Sequence, residues 1–257
     1  MAGSLFNSIV FGPVRSRRLG ISLGMNILPP HIKFCSFNCI YCECGWTDAS
    51  DIATAKFFKP EEIRRELETQ LIYLKEQGIT PDAITFAGNG EPTMHPQFGK
   101  IVDDTNELRD NYFPQAKVAV LSNSTMLFDD KIIQALMKTY NIMKLDAGTE
   151  RTFRLMNKPR TKISLNEIVD GLKKFNGNLV IQSMFVRGMI GEEQIDNTQG
   201  AELEALMQHF ADIKPKEVMI YSLDRRPPMA QLEKVSQEEL QEIAVIVRQL
   251  NLKCTVY

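Results

Sequence analysis

Ala83-Ile84-Thr85-Phe86-Ala87-Gly88-Asn89-Gly90-Glu91-Pro92 decides how the chain folds. Its first four residues form a short, continuous apolar run, the pattern of a strand covered on both faces. A glycine-rich turn carrying an acid stops the run. Upstream, Lys59 to Gly78 reads as a helix: Pro60 opens it, Glu61 and Glu62 fill its first turn, Ile63, Leu67, Leu71 and Leu74 recur at helical spacing, and Gly78 closes it. Downstream, Gln97 to Asn111 reads as a second helix.

The same alternation runs on through the chain. Strand-like runs cover Val118 to Leu121, Ile142 to Leu145, Leu179 to Phe185, Glu217 to Tyr221 and Lys253 to Val256. Between them lie helical stretches at Asp129 to Thr139, after Ser164 (with Glu167 completing a capping box), at Gln199 to Ala211 and at Ser236 to Leu250. Such alternation demands right-handed crossovers and a parallel sheet. About six strand–helix units are visible, against the eight of a closed barrel. The expected α/β fold is therefore a doubly wound sheet or an incomplete (β/α)6 TIM-like barrel. Both place ligands outside the carboxyl ends of the strands, so chemistry is sought in the residues just after each strand. No linker, repeat or low-complexity tract divides the chain. One domain over 1–257 is expected, with an N-terminal extension over about 1–24 and a cysteine-bearing loop over about 33–47.

Composition narrows the function classes. Of 257 residues, 44% are hydrophobic and 24% charged, which excludes disordered, collagen-like and coiled-coil classes. Thirty Lys+Arg against 32 Asp+Glu leave a formal charge of -2, so no global field draws in a polyanion. The opening Met-Ala-Gly-Ser-Leu-Phe-Asn-Ser lacks the pattern of a secretory signal, and no apolar run approaches the roughly 18 residues of a membrane span. A cytoplasmic protein without a membrane partner is expected.

Four of the five cysteines, Cys35, Cys39, Cys42 and Cys44, fall within ten residues. The first three form a Cx3Cx2C motif. Three chemistries fit that spacing. A structural zinc ion needs four closed ligands, with Cys44 as the fourth. A redox pair would use Cys39 and Cys42. A four-iron cluster held by only three thiolates would leave one iron open for chemistry.

Cx3Cx2C with Tyr41 before the last cysteine resembles the signature of the radical S-adenosylmethionine superfamily. The resemblance implies a [4Fe-4S] cluster on Cys35, Cys39 and Cys42 whose open iron binds the amino and carboxylate groups of S-adenosyl-L-methionine. One electron, from a flavodoxin or ferredoxin, then cleaves the cofactor to methionine and a 5′-deoxyadenosyl radical that abstracts hydrogen from substrate. Gly88-Asn89-Gly90-Glu91 resembles the superfamily's Gly-Gly-Glu motif, which receives the methionine amino group. The alternative reading as a dinucleotide fingerprint fails, because its third glycine would fall at Thr93. Ser122 and Asn123, after the next strand, resemble the superfamily's polar contacts to ribose and carboxylate. Tyr41, Gly88, Asn89, Gly90, Glu91, Ser122, Asn123, Asp146 and Gln182 are thus the expected cofactor-binding residues.

With a period of two, Lys144 and Asp146 share one face of their strand, and charges placed inside a sheet point to a purpose. They are the candidate catalytic pair. Arg17, Arg18, Arg160, Asp224 and Arg225 form the expected substrate rim, because Arg binds phosphate or carboxylate bidentately. The order of motifs resembles a subgroup of small iron–sulfur proteins related to archaeal wyosine-type tRNA synthases. It implies a tRNA base or nucleotide as substrate. Glu43-Cys44 and the doubled Arg225-Arg226 depart from that subgroup. Two alternatives stay open: an activase that makes a glycyl radical on a partner protein, and a non-catalytic zinc- or iron–sulfur-binding regulator.

Overall fold

A computed structural model describes residues 5–224, 229 and 231–257. In chain order its elements are β1 (Val10–Ser16), β2 (Gly20–Met25), α1 (Ala49–Thr54), α2 (Pro60–Glu76), β3 (Ala83–Phe86), α3 (Phe98–Tyr112), β4 (Lys117–Ser122), α4 (Asp130–Leu136), β5 (Tyr140–Lys144), α5 (Glu150–Asn157), α6 (Leu165–Lys173), β6 (Val180–Met184), β7 (Val186–Ile190), β8 (Glu193–Asp196), α7 (Gly200–Ile213), β9 (Glu217–Tyr221), β10 (Leu232–Lys234), α8 (Gln237–Gln249) and β11 (Cys254–Val256).

The main sheet has the order β1-β2-β3-β4-β5-β6-β9-β11. Only the edge pair β1–β2 is antiparallel; every later pairing is parallel. The fold is the incomplete (β/α)6 TIM-like barrel, and its six units run from β2 to α8 before β11 closes the series. The first of those units escaped the sequence reading, which counted six strands from Ala83. Gly20, Ser22 and Gly24 break the apolar run of β2, and this strand lies inside the stretch read as an N-terminal extension. A short helix α5 was also missed. So was a small antiparallel sheet, β10-β7-β8, flanking the barrel.

Alternation along the parallel strands sorts their side chains into two layers. Ile84, Phe86, Val118, Val120, Met143, Ile181, Val218 and Ile220 face outward and pack under the helices. Helix α2 meets them with Ile63, Leu67, Leu71 and Leu74, all at most 1% exposed. Each such side chain contributes about 1.5–3 kcal/mol on burial. The inward residues form a separate cluster of Leu19, Ala83, Ala119, Ile142, Val180 and Met219, bordered by Leu121, Tyr140 and Tyr257. This second cluster fills the floor of the barrel lumen. Leu19, from the β1–β2 turn, is its plug.

The chain between β2 and α1 carries the cysteines across the C-terminal ends of the strands. It is pinned from two sides. Phe34 forms a parallel bridge with Gly90 just beyond β3, where Phe34 N–H donates to Asn89 O at 2.7 Å and Glu91 N–H donates to Phe34 O at 3.0 Å. Phe37 bridges Pro159, Arg160 N–H donates to Ser36 O at 2.8 Å, and Ile40 N–H donates to Met156 O at 3.0 Å. Gly90 has no alternative here: its φ is +138°, and a Cβ would stand 2.0 Å from Phe34 O.

Candidate active site

Cys35 and Cys39 are buried, and Cys42 and Cys44 are half-buried. Burial pushes the Cys35 thiol up to about 12 and raises Cys39 as well, while the charge of Lys33 pulls both the other way. The hydrogen bond between the Cys42 and Cys44 thiols lowers Cys42 and raises Cys44. Cys44 Sγ also donates to Gly88 O at 3.4 Å. Lys33 is 3% exposed, and its Nζ donates to Gly45 O at 2.7 Å. It places a buried cation among the thiols. Sequence reading missed it; the available signal was one lysine in an otherwise apolar approach to the first cysteine, Ile32-Lys33-Phe34.

Among the described residues, no three His, Cys, Asp or Glu side chains converge on a single point as a lone metal ion requires. A four-iron cluster asks for something else: thiolates at separate corners, ordinarily four, or three where one iron is left open. Three thiols along one short loop, each near the next and all near Lys33, suit that larger anionic group.

Glu91 is 1% exposed and clasps two loops. Its Oε1 accepts from Thr93 N at 3.0 Å and from Thr93 Oγ1 at 2.5 Å; its Oε2 accepts from Asn123 N at 2.5 Å. Burial lifts its pKa above the ordinary carboxylate value, and these donors oppose the rise. Asn123 in turn donates through Nδ2 to Ser36 Oγ at 2.9 Å and to Cys35 Sγ at 3.5 Å. Ser122 Oγ accepts from Ser124 N at 3.1 Å. The glycine-rich turn, the β4 loop and the cysteine loop are thus one hydrogen-bonded unit.

Asn89, where the superfamily motif has glycine, spends its side chain on structure. It accepts from Phe6 N at 2.8 Å and donates to Phe6 O at 2.7 Å and Pro29 O at 3.2 Å. Any contact with a ligand would have to come from its backbone. Gly88 sits at φ +151° with Asn26 Oδ1 only 2.6 Å from where a Cβ would be.

Lys144, Asp146 and Tyr41 meet in one triangle. Lys144 Nζ pairs with Asp146 Oδ2, Tyr41 O–H donates to the same oxygen, and Lys144 Nζ donates to the Tyr41 hydroxyl. Asp146 Oδ1 accepts from Met184 N at 2.9 Å. Burial lowers Lys144 to about 8 and raises Tyr41 well above its ordinary value. Asn157, 3% exposed, closes the triangle toward the cysteines, with Nδ2 3.3 Å from Tyr41 Oη and 3.8 Å from Cys39 Sγ. It too was missed, because α5 was not recognised. Asn197 was missed for a different reason. It is fully buried and holds Asp146 O at 2.8 Å and Met184 O at 2.7 Å from the far side of the small sheet, a contact no local pattern announces.

The expected substrate rim divides. Arg17 pairs with Asp224 at 3.2 Å on the surface. Arg18 turns into the lumen, where Nη1 donates to Gln182 Oε1 at 2.7 Å. Arg160 lies beside the cysteine loop. Arg225 falls outside the described residues, as does Arg226. The wider basic cluster after β5 is partly neutralised, since Arg151 pairs with Glu193, and Arg154 with Glu150 at 2.6 Å.

The fold and this loop define a class. A computed likeness extends to a radical SAM methyltransferase from Sphaerobacter thermophilus at TM-score 0.68 and 16% identity, over 92% of this chain and 65% of that one. Residues 30–198 match the Radical SAM superfamily, and the chain belongs to it. Among individual proteins, the chain is 33% identical over 184 residues to a UPF0026 protein of Methanocaldococcus jannaschii, covering 70% of this chain and 54% of that one. It is 30% identical over 256 residues to a UPF0026 protein of Helicobacter pylori strain 26695, covering 97% and 73%. The chain spans less than two thirds of the length of the first relatives it matches, 32% and 54%. Among the described residues, no helix is long and apolar enough to cross a membrane.

Proposed function

We propose that Cys35, Cys39 and Cys42 hold a [4Fe-4S] cluster by three of its irons and leave the fourth to S-adenosylmethionine. The observation that carries this is the bridge between Phe34 and Gly90, which sets the cysteine loop against the Gly90-Glu91 turn at the strand ends. Cluster and cofactor, bound there and given one electron, would supply hydrogen-atom abstraction from the substrate.

The chain's own residues do the positioning. Glu91, held rigid by Thr93 and Asn123, presents a buried carboxylate to the methionine ammonium. The backbone of Gly88, Asn89 and Gly90 and the Ser122-Asn123 loop line the same edge. Lys33 offsets negative charge on the thiolates. Lys144 Nζ, at about 8 and paired with Asp146 and Tyr41, is the group in the lumen best placed to hold or release a proton near neutral pH. Substrate enters the lumen, because Gln182, Tyr221 and Lys144 are inward-facing residues that keep some solvent contact. A nucleotide or another small anion fits better than a whole tRNA, since Arg17, Arg151 and Arg154 already have carboxylate partners. A flavodoxin or ferredoxin serves as reductant. The single domain and a cytoplasmic location belong to the same reading, in which five unpaired cysteines suit a reducing compartment.

The test is anaerobic reconstitution with iron and sulfide, reduction with dithionite, and chromatography for 5′-deoxyadenosine after S-adenosylmethionine is added. About four irons per chain and reductant-dependent 5′-deoxyadenosine are expected. Iron-loaded protein that makes none overturns the proposal.

A further inference from the structure

Arg18 is the one site residue whose surroundings differ most from the surface rim expected of it. It belongs to the tight turn between β1 and β2, at the end of the barrel opposite the cysteine loop. That turn is fixed. Ser16 Oγ accepts from Arg18 N at 3.3 Å and from Leu19 N at 3.2 Å. Asp82 accepts from Ile21 N at 2.7 Å and crowds Gly20, where a Cβ would lie 2.3 Å from Asp82 Oδ2 at φ +69°. Leu19 is anchored in the lumen floor. With both neighbours held, Arg18 projects up the lumen to Gln182 on β6, and its guanidinium lies 4.8 Å from the centre of the Tyr221 ring on β9.

The side chains that meet this cation among the described residues, Gln182, Tyr221 and Tyr257, are not carboxylates. Arg17, next in sequence, has a carboxylate partner, whereas among the described residues Arg18 has none. Asp146, the lumen carboxylate, is committed to Lys144 and Tyr41. A guanidinium carries five donors in a planar fork. Gln182 and the Tyr221 hydroxyl each take a donor, the Tyr221 face covers a side, and the rest of the fork is left over. A partly buried cation with spare donors and no counterion is arranged for an anion that arrives with a ligand.

We propose that Arg18, framed by Gln182 and Tyr221, is the anion-recognition site of the lumen and takes a carboxylate or phosphate group of the substrate. The inference rests on the reading that substrate occupies the lumen. It adds where the anionic group of that substrate is gripped, from the floor of the lumen. The reacting carbon is thereby held toward the cysteine loop.

Phenylglyoxal labelling of arginine tests it. Iron–sulfur-loaded protein is treated under argon, and the label on the Arg18 peptide is followed by mass spectrometry with added phosphate, acetate or chloride at equal ionic strength. Phosphate or acetate should slow labelling of Arg18 at least tenfold relative to chloride. Protection by phosphate alone identifies a phosphate monoester class; protection by acetate alone identifies a carboxylic acid. Equal rates in all three salts overturn the site. Gln182→Glu, nearly isosteric, is the second arm. It supplies an internal counterion, so Arg18 should label slowly and lose its response to added anion. A variant that responds as the parent does also overturns the proposal. Iron content and 5′-deoxyadenosine on the same preparations report separately on the enzymatic reading, so either can fail alone.

Discussion

The two faces of one sheet do opposite jobs. Outward, the parallel strands present valine, isoleucine, phenylalanine and methionine to the helices. Inward, the same strands present an apolar cluster at the floor, then Ser22 against Thr85, Gln182 under Arg18, and Lys144 paired with Asp146 and Tyr41 of the loops. The alternation costs nothing in backbone terms, since a strand must point successive side chains to opposite faces. The outer face holds the barrel together. The inner face is thereby free to carry groups that a core would exclude. Substitutions on the two faces should therefore separate into losses of stability and losses of chemistry.

The largest expected effect is chemical. Cys39→Ala should abolish iron retention and 5′-deoxyadenosine formation, while circular dichroism of the unloaded protein stays that of the parent. Iron retained at the parental level would contradict the ligand assignment. The outer face should behave in the reverse manner. Phe98→Ala, which empties a site 1% exposed beside Phe86, should lower unfolding free energy by about 3–5 kcal/mol in urea titration yet leave turnover per iron-loaded molecule unchanged. Turnover falling in step with stability would break the division.

Glu91 belongs to neither face, and two variants resolve its roles. Glu91→Gln keeps the shape but removes the charge, so it should weaken S-adenosylmethionine binding about tenfold or more with iron intact. Glu91→Ala should in addition lower stability by about 1–3 kcal/mol for each donor left buried without a partner. Equal binding by parent and Glu91→Gln, in equilibrium dialysis, would remove the cofactor role. Lys33→Gln should make the cluster harder to reduce, because a buried cation stabilises the more negative reduced form. The midpoint potential should fall by some tens of millivolts, where about 59 mV is a tenfold change for one electron. An unchanged or raised potential would refute this.

The smallest effect is on pH dependence. Burial raises Cys254, remote from the site, to about 11, against roughly 8.5 in an unfolded chain. The unfolded state then loses its proton first, so this thiol's contribution is intact below about 8.5 and is lost as pH climbs toward 11. Cys254→Ala should flatten the decline of stability over that window in urea titrations.

Much of this division was legible in sequence. The run Ala83–Phe86 and its relatives gave strands because both faces are covered, and helix spacing gave the outer layer. The cysteine loop and the Gly90-Glu91 turn are local patterns; the first was read as a loop, and the second as a turn at a strand end. What escaped depends on contacts far along the chain. Strand β2 looks like a glycine-rich coil until β3 pairs with it. Lys33, Asn157 and Asn197 have unremarkable neighbours in sequence and acquire meaning only from what the fold brings to them. Arg18 was singled out for its charge but placed on the rim, because nothing local says that a turn at one end of the barrel can aim a side chain up its lumen.

The second clamp on the cysteine loop has a consequence in time. The backbone of residues 36–40 is completed by residues 156–160, and Asn157 reaches Cys39 across 118 positions of sequence. At the ordinary pace of synthesis, about 5–20 residues per second, that interval lasts roughly 6–24 s. For that long the three thiols exist on the ribosome without the segment that shelters them. Oxygen and stray metal ions therefore meet an open loop during every round of translation, and a cluster held there would gain its finished socket only once β5 and α5 have been made.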